Sequence, residues 1–178
     1  MDVLEHAKAM VLKLYANVCS KVSNDQLTSL AEAILNANRV FLAGFSRSDM
    51  IIRVFANRLA HLGINVNIVG DVTTPKPTAG DLFLISSEFG EIQTLIKMAE
   101  HCKKQHITIA VNTVSPFSTL AKLADMKIVL PCVSQNIEEN DFVDIFPQSK
   151  EYSFELLSFL IYDAVMISLI KKLNNHAQ

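Results

Sequence analysis

The apolar and polar positions of this chain change period along its length. Over residues 3–22, Val3, Leu4, Ala7, Val11, Leu14 and Val18 recur at helical spacing. Ser23-Asn24-Asp25-Gln26 then has the form of a capping box, which predicts a second helix running to about Leu35. From residue 40 onward, short apolar runs alternate with helical patterns. Val40–Ala43, Val66–Val69, Leu82–Ser86, Thr108–Val111 and Ile128–Leu130 read as strands, and Asp49–Leu62, Glu91–Gln105 and Pro116–Leu123 as helices. Ser115 as N-cap and Pro116 at the first helical position mark the start of the last of these. Gly70–Gly80 carries two prolines and no helical period, so it reads as a loop crossing. A final helix, about Tyr152 to Leu173, is apolar nearly all round, and a surface of that kind needs cover that one small domain does not provide.

Strands alternating with helices predict an α/β fold, a three-layer α/β/α sandwich on a five-stranded parallel sheet with an N-terminal helical arm. The expected organisation is one domain over 1–178, with 1–37 as N-terminal helices and 38–178 as the core ending in the long helix. In an open parallel sheet, ligands bind beyond the carboxyl ends of the strands. The loops Gly44–Ser48, Gly70–Thr74, Ser86–Glu91 and Asn112–Ser115 fall there. Gly44, Ser46, Arg47 and Ser48 bring hydroxyls, a guanidinium and free backbone N–H groups to a helix start, a setting that favours anions. Ser86 and Ser87 add hydroxyls at a second strand end. His61 stands on the last turn of the helix that this loop opens, two residues before Gly63.

Composition narrows the picture. The net charge is −2, which argues against a dedicated nucleic-acid binder. No apolar run is long enough to span a bilayer, and the MDVLEHAKAM start has no signal-peptide pattern, so the expectation is a cytoplasmic protein without a membrane segment. Cys19, Cys102 and Cys132 lack pairing or metal-ligand spacing, so they read as reduced thiols. Glu88 and Glu91 are paired carboxylates without metal-ligand spacing, so no metal is expected. Only Gly44 stands in the first turn where a dinucleotide fingerprint needs three glycines, and no cofactor is expected.

The order Ala43-Gly44-Phe45-Ser46-Arg47-Ser48, Arg58-Leu59-Ala60-His61-Leu62-Gly63, Val69-Gly70-Asp71, Gly80-Asp81-Leu82, Gly90-Glu91 and Phe154-Glu155 resembles the sugar isomerase (SIS) domain. Within it the chain is most similar to the 6-phospho-3-hexuloisomerases. The resemblance implies a flavodoxin-like fold and a homo-oligomer, tetramer or dimer, with sites near subunit boundaries. It implies interconversion of 3-hexulose 6-phosphate and fructose 6-phosphate by proton transfer through an enediol. It implies Glu155 as base, His61 as an assisting group at the site, and serines of the strand-end loops on the phosphate. One loop departs from the pattern. Where the family reads roughly SGSGET, this chain has Ser87-Glu88-Phe89-Gly90-Glu91-Ile92, so two hydroxyls are lost and a carboxylate is gained. Lys150-Glu151-Tyr152-Ser153 departs from the family just before Phe154-Glu155, and Lys150 offers compensating positive charge. The alternative at this stage is a non-catalytic SIS-domain protein that senses a phosphosugar.

Overall fold

The computed structural model describes residues 2–131 and 153–176; Cys132, Lys150 and Tyr152 lie outside them, as do the side chains of Cys19 and Ser153. Eleven elements follow in order: α1 (Val3–Lys21), α2 (Asn24–Asn36), β1 (Val40–Ala43), α3 (Arg47–His61), β2 (Val66–Ile68), β3 (Leu82–Ser86), α4 (Gln93–Lys104), β4 (Thr108–Thr113), α5 (Thr119–Leu123), β5 (Met126–Val129) and α6 (Ser153–His176). The five strands form one parallel sheet in the order β2-β1-β3-β4-β5. That is the flavodoxin-like strand order.

Side-chain alternation along the strands divides the core in two. Val40 and Leu42 face the layer of α2, α3 and α6, together with Leu82, Leu84 and Ala110. Phe41 and Ala43 face α4 and α5, together with Phe83, Ile85, Ile109 and Val111. Burial on both faces is what makes these strands continuous apolar runs. The β2–β3 connection has no helix, as its prolines predict. That leaves a groove of about 480 Å³ between the Thr74–Pro77 loop and α4, floored by Phe41 and Phe83.

The capping box predicted from Ser23 is present: the Ser23 hydroxyl accepts the Gln26 N–H, and the Gln26 side-chain Oε1 accepts the Ser23 N–H. The N-terminal arm divides into two unlike parts. Helix α2 belongs to the core through Leu30, Ala31 and Ile34, whereas α1 leaves Val3, Leu4, Val11, Leu12 and Tyr15 exposed. The start of α5 corrects the sequence reading. Its N-cap is Ser118, whose hydroxyl accepts the Ala121 N–H, while Ser115 accepts the Ser118 N–H in the preceding turn. Helix α6 is apolar on two sides, as its composition predicts. Phe154, Leu157, Ile161, Val165 and Leu169 are buried, and Leu156, Phe159, Leu160, Ile167 and Ile170 are exposed.

Helices α3 and α6 are joined by the Arg58–Asp163 ion pair and by stacking of Phe55 on Tyr162, with ring centroids 4.6 Å apart. At the other end of the sheet, Asp81 accepts two bonds from Arg39 (2.7 and 3.2 Å) and one from the Thr78 N–H (2.7 Å). Burial alone would push this carboxyl up, but the bonds from Arg39 and Thr78 outweigh it and hold it below the usual range. A depressed acid stabilises the fold above its unfolded pKa and loses that contribution as pH falls through the folded one. Asp81→Asn is therefore expected to cost about 2 kcal/mol in urea melts at pH 7, with the difference from the parent protein vanishing in acid. An unchanged midpoint at pH 7 would contradict this.

Candidate functional site

The active-site candidate is a pocket of about 390 Å³ at the carboxyl edge of the sheet. Phe45, Ser46, Arg47, Ser48, Ser87, Glu88, Phe89, Glu91, Ile92 and Glu155 line it. Three segments far apart in sequence meet there: the β1–α3 loop, the β3–α4 loop and the first turn of α6.

The β1–α3 loop is shaped by two backbone constraints. A Cβ on Gly44 would stand 2.7 Å from Asp49 Cα and N, so only glycine lets β1 turn directly into α3. Gly44 thus works by close packing and is not part of the pocket lining. Ser46 follows with φ of 55°, a left-handed conformation that costs a non-glycine residue energy. It occupies the N-cap position of α3, yet its hydroxyl makes no capping bond. That hydroxyl is exposed in the pocket beside the α3 N-terminus, where backbone donors and the positive end of the helix dipole favour an anion. Ser48 is buried two residues further on.

Arg47 decides the electrostatics. Its Nε donates to Glu155 Oε1 at 2.7 Å, linking the start of α3 to the start of α6. Glu155 is seated by its buried neighbours Phe154 and Leu157, which lock the first turn of α6 into the core. Its side chain is 8% exposed, so it does not merely decorate a helix N-terminus in solvent. The second carboxylate oxygen, Oε2, is buried with no hydrogen-bond partner among the described residues.

The β3–α4 loop is held by β4 and α5. The Glu88 carbonyl accepts from the Val114 N–H (2.9 Å) and the Thr113 hydroxyl (2.7 Å). Ser87 accepts the Gly90 N–H at 3.3 Å, so its buried hydroxyl shapes the loop as well as lining the pocket. Glu91 receives the N–H and hydroxyl of Thr119, which hold its carboxyl below the usual range. Glu88 is half-buried. Burial pushes its carboxyl above the usual range, the Glu155 charge adds to this, and Arg47 opposes it.

Two residues expected at the site stand elsewhere in the protomer. Ser86 is fully buried in register with Asn112, in the core beneath the pocket and outside its lining. His61 is exposed at the far end of α3. Fifteen residues at 1.5 Å each put it about 20 Å from Arg47 along the helix axis. Phe45, Glu88 and Phe89 also line the pocket, although the local pattern marks Glu88 only as an added carboxylate and Phe89 only as a lost hydroxyl. Their position between a strand end and a helix start was the available signal. Among the described residues no group of three His, Cys, Asp or Glu side chains could hold a metal ion, and no helix is long and apolar enough to cross a membrane.

The flavodoxin-like sheet thus brings an anion-favouring helix start and a buried carboxylate together in one pocket at its carboxyl edge. The 3-hexulose-6-phosphate isomerase of Bacillus subtilis is 35% identical over 172 residues, 97% of this chain and 91% of that protein. The enzyme of the same name from Mycobacterium gastri is 36% identical, over 94% of this chain and 83% of that one. The chain belongs to the 3-hexulose-6-phosphate isomerase family and is an isomerase. No family model matches it. Among solved structures, a hypothetical protein of Methanococcus jannaschii superimposes with a TM-score of 0.78 at 26% identity, covering 98% of this chain and 92% of that one. Its crystal structure was read as inferring a molecular function of 3-hexulose-6-phosphate isomerase.

Proposed function

We propose that this enzyme interconverts 3-hexulose 6-phosphate and fructose 6-phosphate, with Glu155 as the base that moves the carbon-bound proton. The supporting observation is Glu155 itself, a buried carboxylate paired with Arg47 in the same pocket as the open N-terminus of α3. The phosphate group belongs at Ser46, Ser48 and the α3 backbone donors. Ser87 and the Phe45 and Phe89 rings bound the sugar. Glu155 takes the proton from C2 of the 3-ketose, the C–H electron pair forms the C2=C3 bond of an enediol, and the proton returns at C3.

His61 fits this reading only in an oligomer, where the α3 end of one copy reaches the pocket of another. The exposed apolar sides of α1 and α6 favour such an assembly, a homotetramer or a homodimer. We assign His61 there to opening of the sugar ring. A cytoplasmic setting accords with Cys102, a buried thiol that burial pushes up to about 11.

The test is solvent exchange. Fructose 6-phosphate incubated with the protein in deuterated water is expected to gain deuterium at C3, because the 2,3-enediol is reprotonated there. Deuterium at C1 instead would mean a 1,2-enediol and an aldose product. No exchange at either carbon would remove the substrate assignment.

A further inference from the structure

We propose that Glu88 is a second acid–base group of this enzyme, which carries the oxygen-bound proton while Glu155 carries the carbon-bound one. The inference rests on the ketose–ketose reading above and adds to it a residue that the related loop pattern lacks.

Moving a carbonyl between neighbouring carbons requires two proton movements. One proton passes from C2 to C3, and one passes from O2 to O3. A base that serves carbon does not serve both oxygens in the same step. As the C2=C3 bond forms, the C3 carbonyl electron pair moves to O3, which takes a proton from the Glu88 carboxyl. The Glu88 carboxylate then takes the O2 proton as the C2 carbonyl forms and C3 recovers its proton from Glu155. Glu88 gives one proton and receives one, so it ends as it began and no co-reactant is needed. O2 and O3 are vicinal and lie on one side of a cis-enediol, so a single carboxyl group can serve both.

Elimination within the pocket leads to the same residue. Of the titratable side chains lining it, Arg47 is bonded to Glu155, and Glu91 is committed to Thr119 on α5. His61 of the same copy is about 20 Å along α3 from Arg47, and the His61 that another copy would bring is already assigned to opening of the sugar ring. Among the described residues that leaves Glu88. Its backbone is fixed by Val114 and Thr113 at the end of β4, so the side chain starts from a defined position on the pocket wall. The charged groups acting on it are Glu155 from α6 and Arg47 from α3. The two carboxylates differ in setting, one clamped by a guanidinium and the other desolvated without a clamp of its own. Such a division suits one to act as base and the other as acid.

Glu88→Gln keeps the shape and removes the transferable proton. The parent enzyme and this variant are to be compared with fructose 6-phosphate across pH, with Glu88→Asp beside them. The expected result for Glu88→Gln is a kcat about 10²-fold lower with KM within about threefold, and loss of the alkaline limb of the kcat profile. Glu88→Asp should keep that limb. Burial disfavours the ionised form of Glu88, so Glu88→Gln is expected to melt no lower than the parent at neutral pH, which separates catalysis from folding. A Glu88→Gln enzyme within threefold of the parent kcat, with its alkaline limb intact, would overturn the proposal. So would a lower KM at unchanged kcat, which would make Glu88 only a source of repulsion toward the phosphate. If the parent enzyme places no deuterium at C3, the substrate reading falls and this proposal falls with it. If it does and Glu88→Gln is unimpaired, this proposal falls alone.

Discussion

Glu155→Gln is expected to lower kcat for fructose 6-phosphate by about 10³-fold and to abolish deuterium exchange at C3 on the same scale. The physical reason is that the amide cannot accept the carbon-bound proton. A loss of that size corresponds to about 4 kcal/mol of transition-state stabilisation. The substitution separates chemistry from architecture. Glutamine retains an oxygen where Arg47 Nε donates at 2.7 Å, so the tie between α3 and α6 persists. Phe154 and Leu157 still anchor the turn in the core. The melting temperature is thus expected to change little, and binding of substrate to survive. Glu155→Asp supplies the complementary result. The carboxylate remains but withdraws by one methylene, and a misplacement of about 1 Å is worth about 10²-fold. If Glu155→Gln retains C3 exchange at the parent rate, Glu155 is not the base, whatever the family pattern implies.

The sheet was legible in the sequence because its inner strands β1 and β3 are buried on both faces and so read as apolar runs, bounded by glycine and polar residues. The α3 unit was legible for a related reason: its loop chemistry and its closing glycine both lie within one local stretch. Local windows fail where two readings fit equally well. Ser115-Pro116 and Ser118 each make a plausible helix start, and the Ser118 N–H bond to the Ser115 carbonyl decides between them. Ser86 and Ser87 are neighbours on a strand end and both are buried, and only the fold shows that Ser87 lines the pocket while Ser86 lies beneath it. Glu88 illustrates the same limit at the site. Read locally, it is a missing glycine beside two missing hydroxyls. Its chemical character comes from Glu155 and Arg47, each tens of residues away in the chain, and from β4, which fixes its backbone. His61 is the opposite case, a residue conspicuous in a local motif that the fold of one copy carries away from the pocket.

Gly44→Ala is expected to damage stability and activity together, in contrast to Glu155→Gln. The added methyl would meet the backbone of Asp49 at 2.7 Å and the Ser48 carbonyl carbon at 2.9 Å. Backbone atoms cannot swing aside as a flexible side chain can, so the first turn of α3 must move away from β1. Ala43 cannot follow it, because it is buried and paired with Ile85 inside the sheet. The strain falls on the loop that already holds Ser46 at positive φ, and overpacking of this kind costs about 3 kcal/mol. Displacing that turn also displaces Ser46, Arg47 and Ser48 as a unit. The anion-favouring donors shift off their aim, and the guanidinium that clamps Glu155 shifts with them. A shift near 1 Å at such a constellation is expected to lower kcat/KM by at least about 10²-fold. Urea melts and steady-state kinetics on the same preparation check both halves. A variant that melts within about 0.5 kcal/mol of the parent would show that α3 has room to yield. Full stability with lost activity would place the effect of Gly44 on the ligand rather than on the packing of β1 against α3.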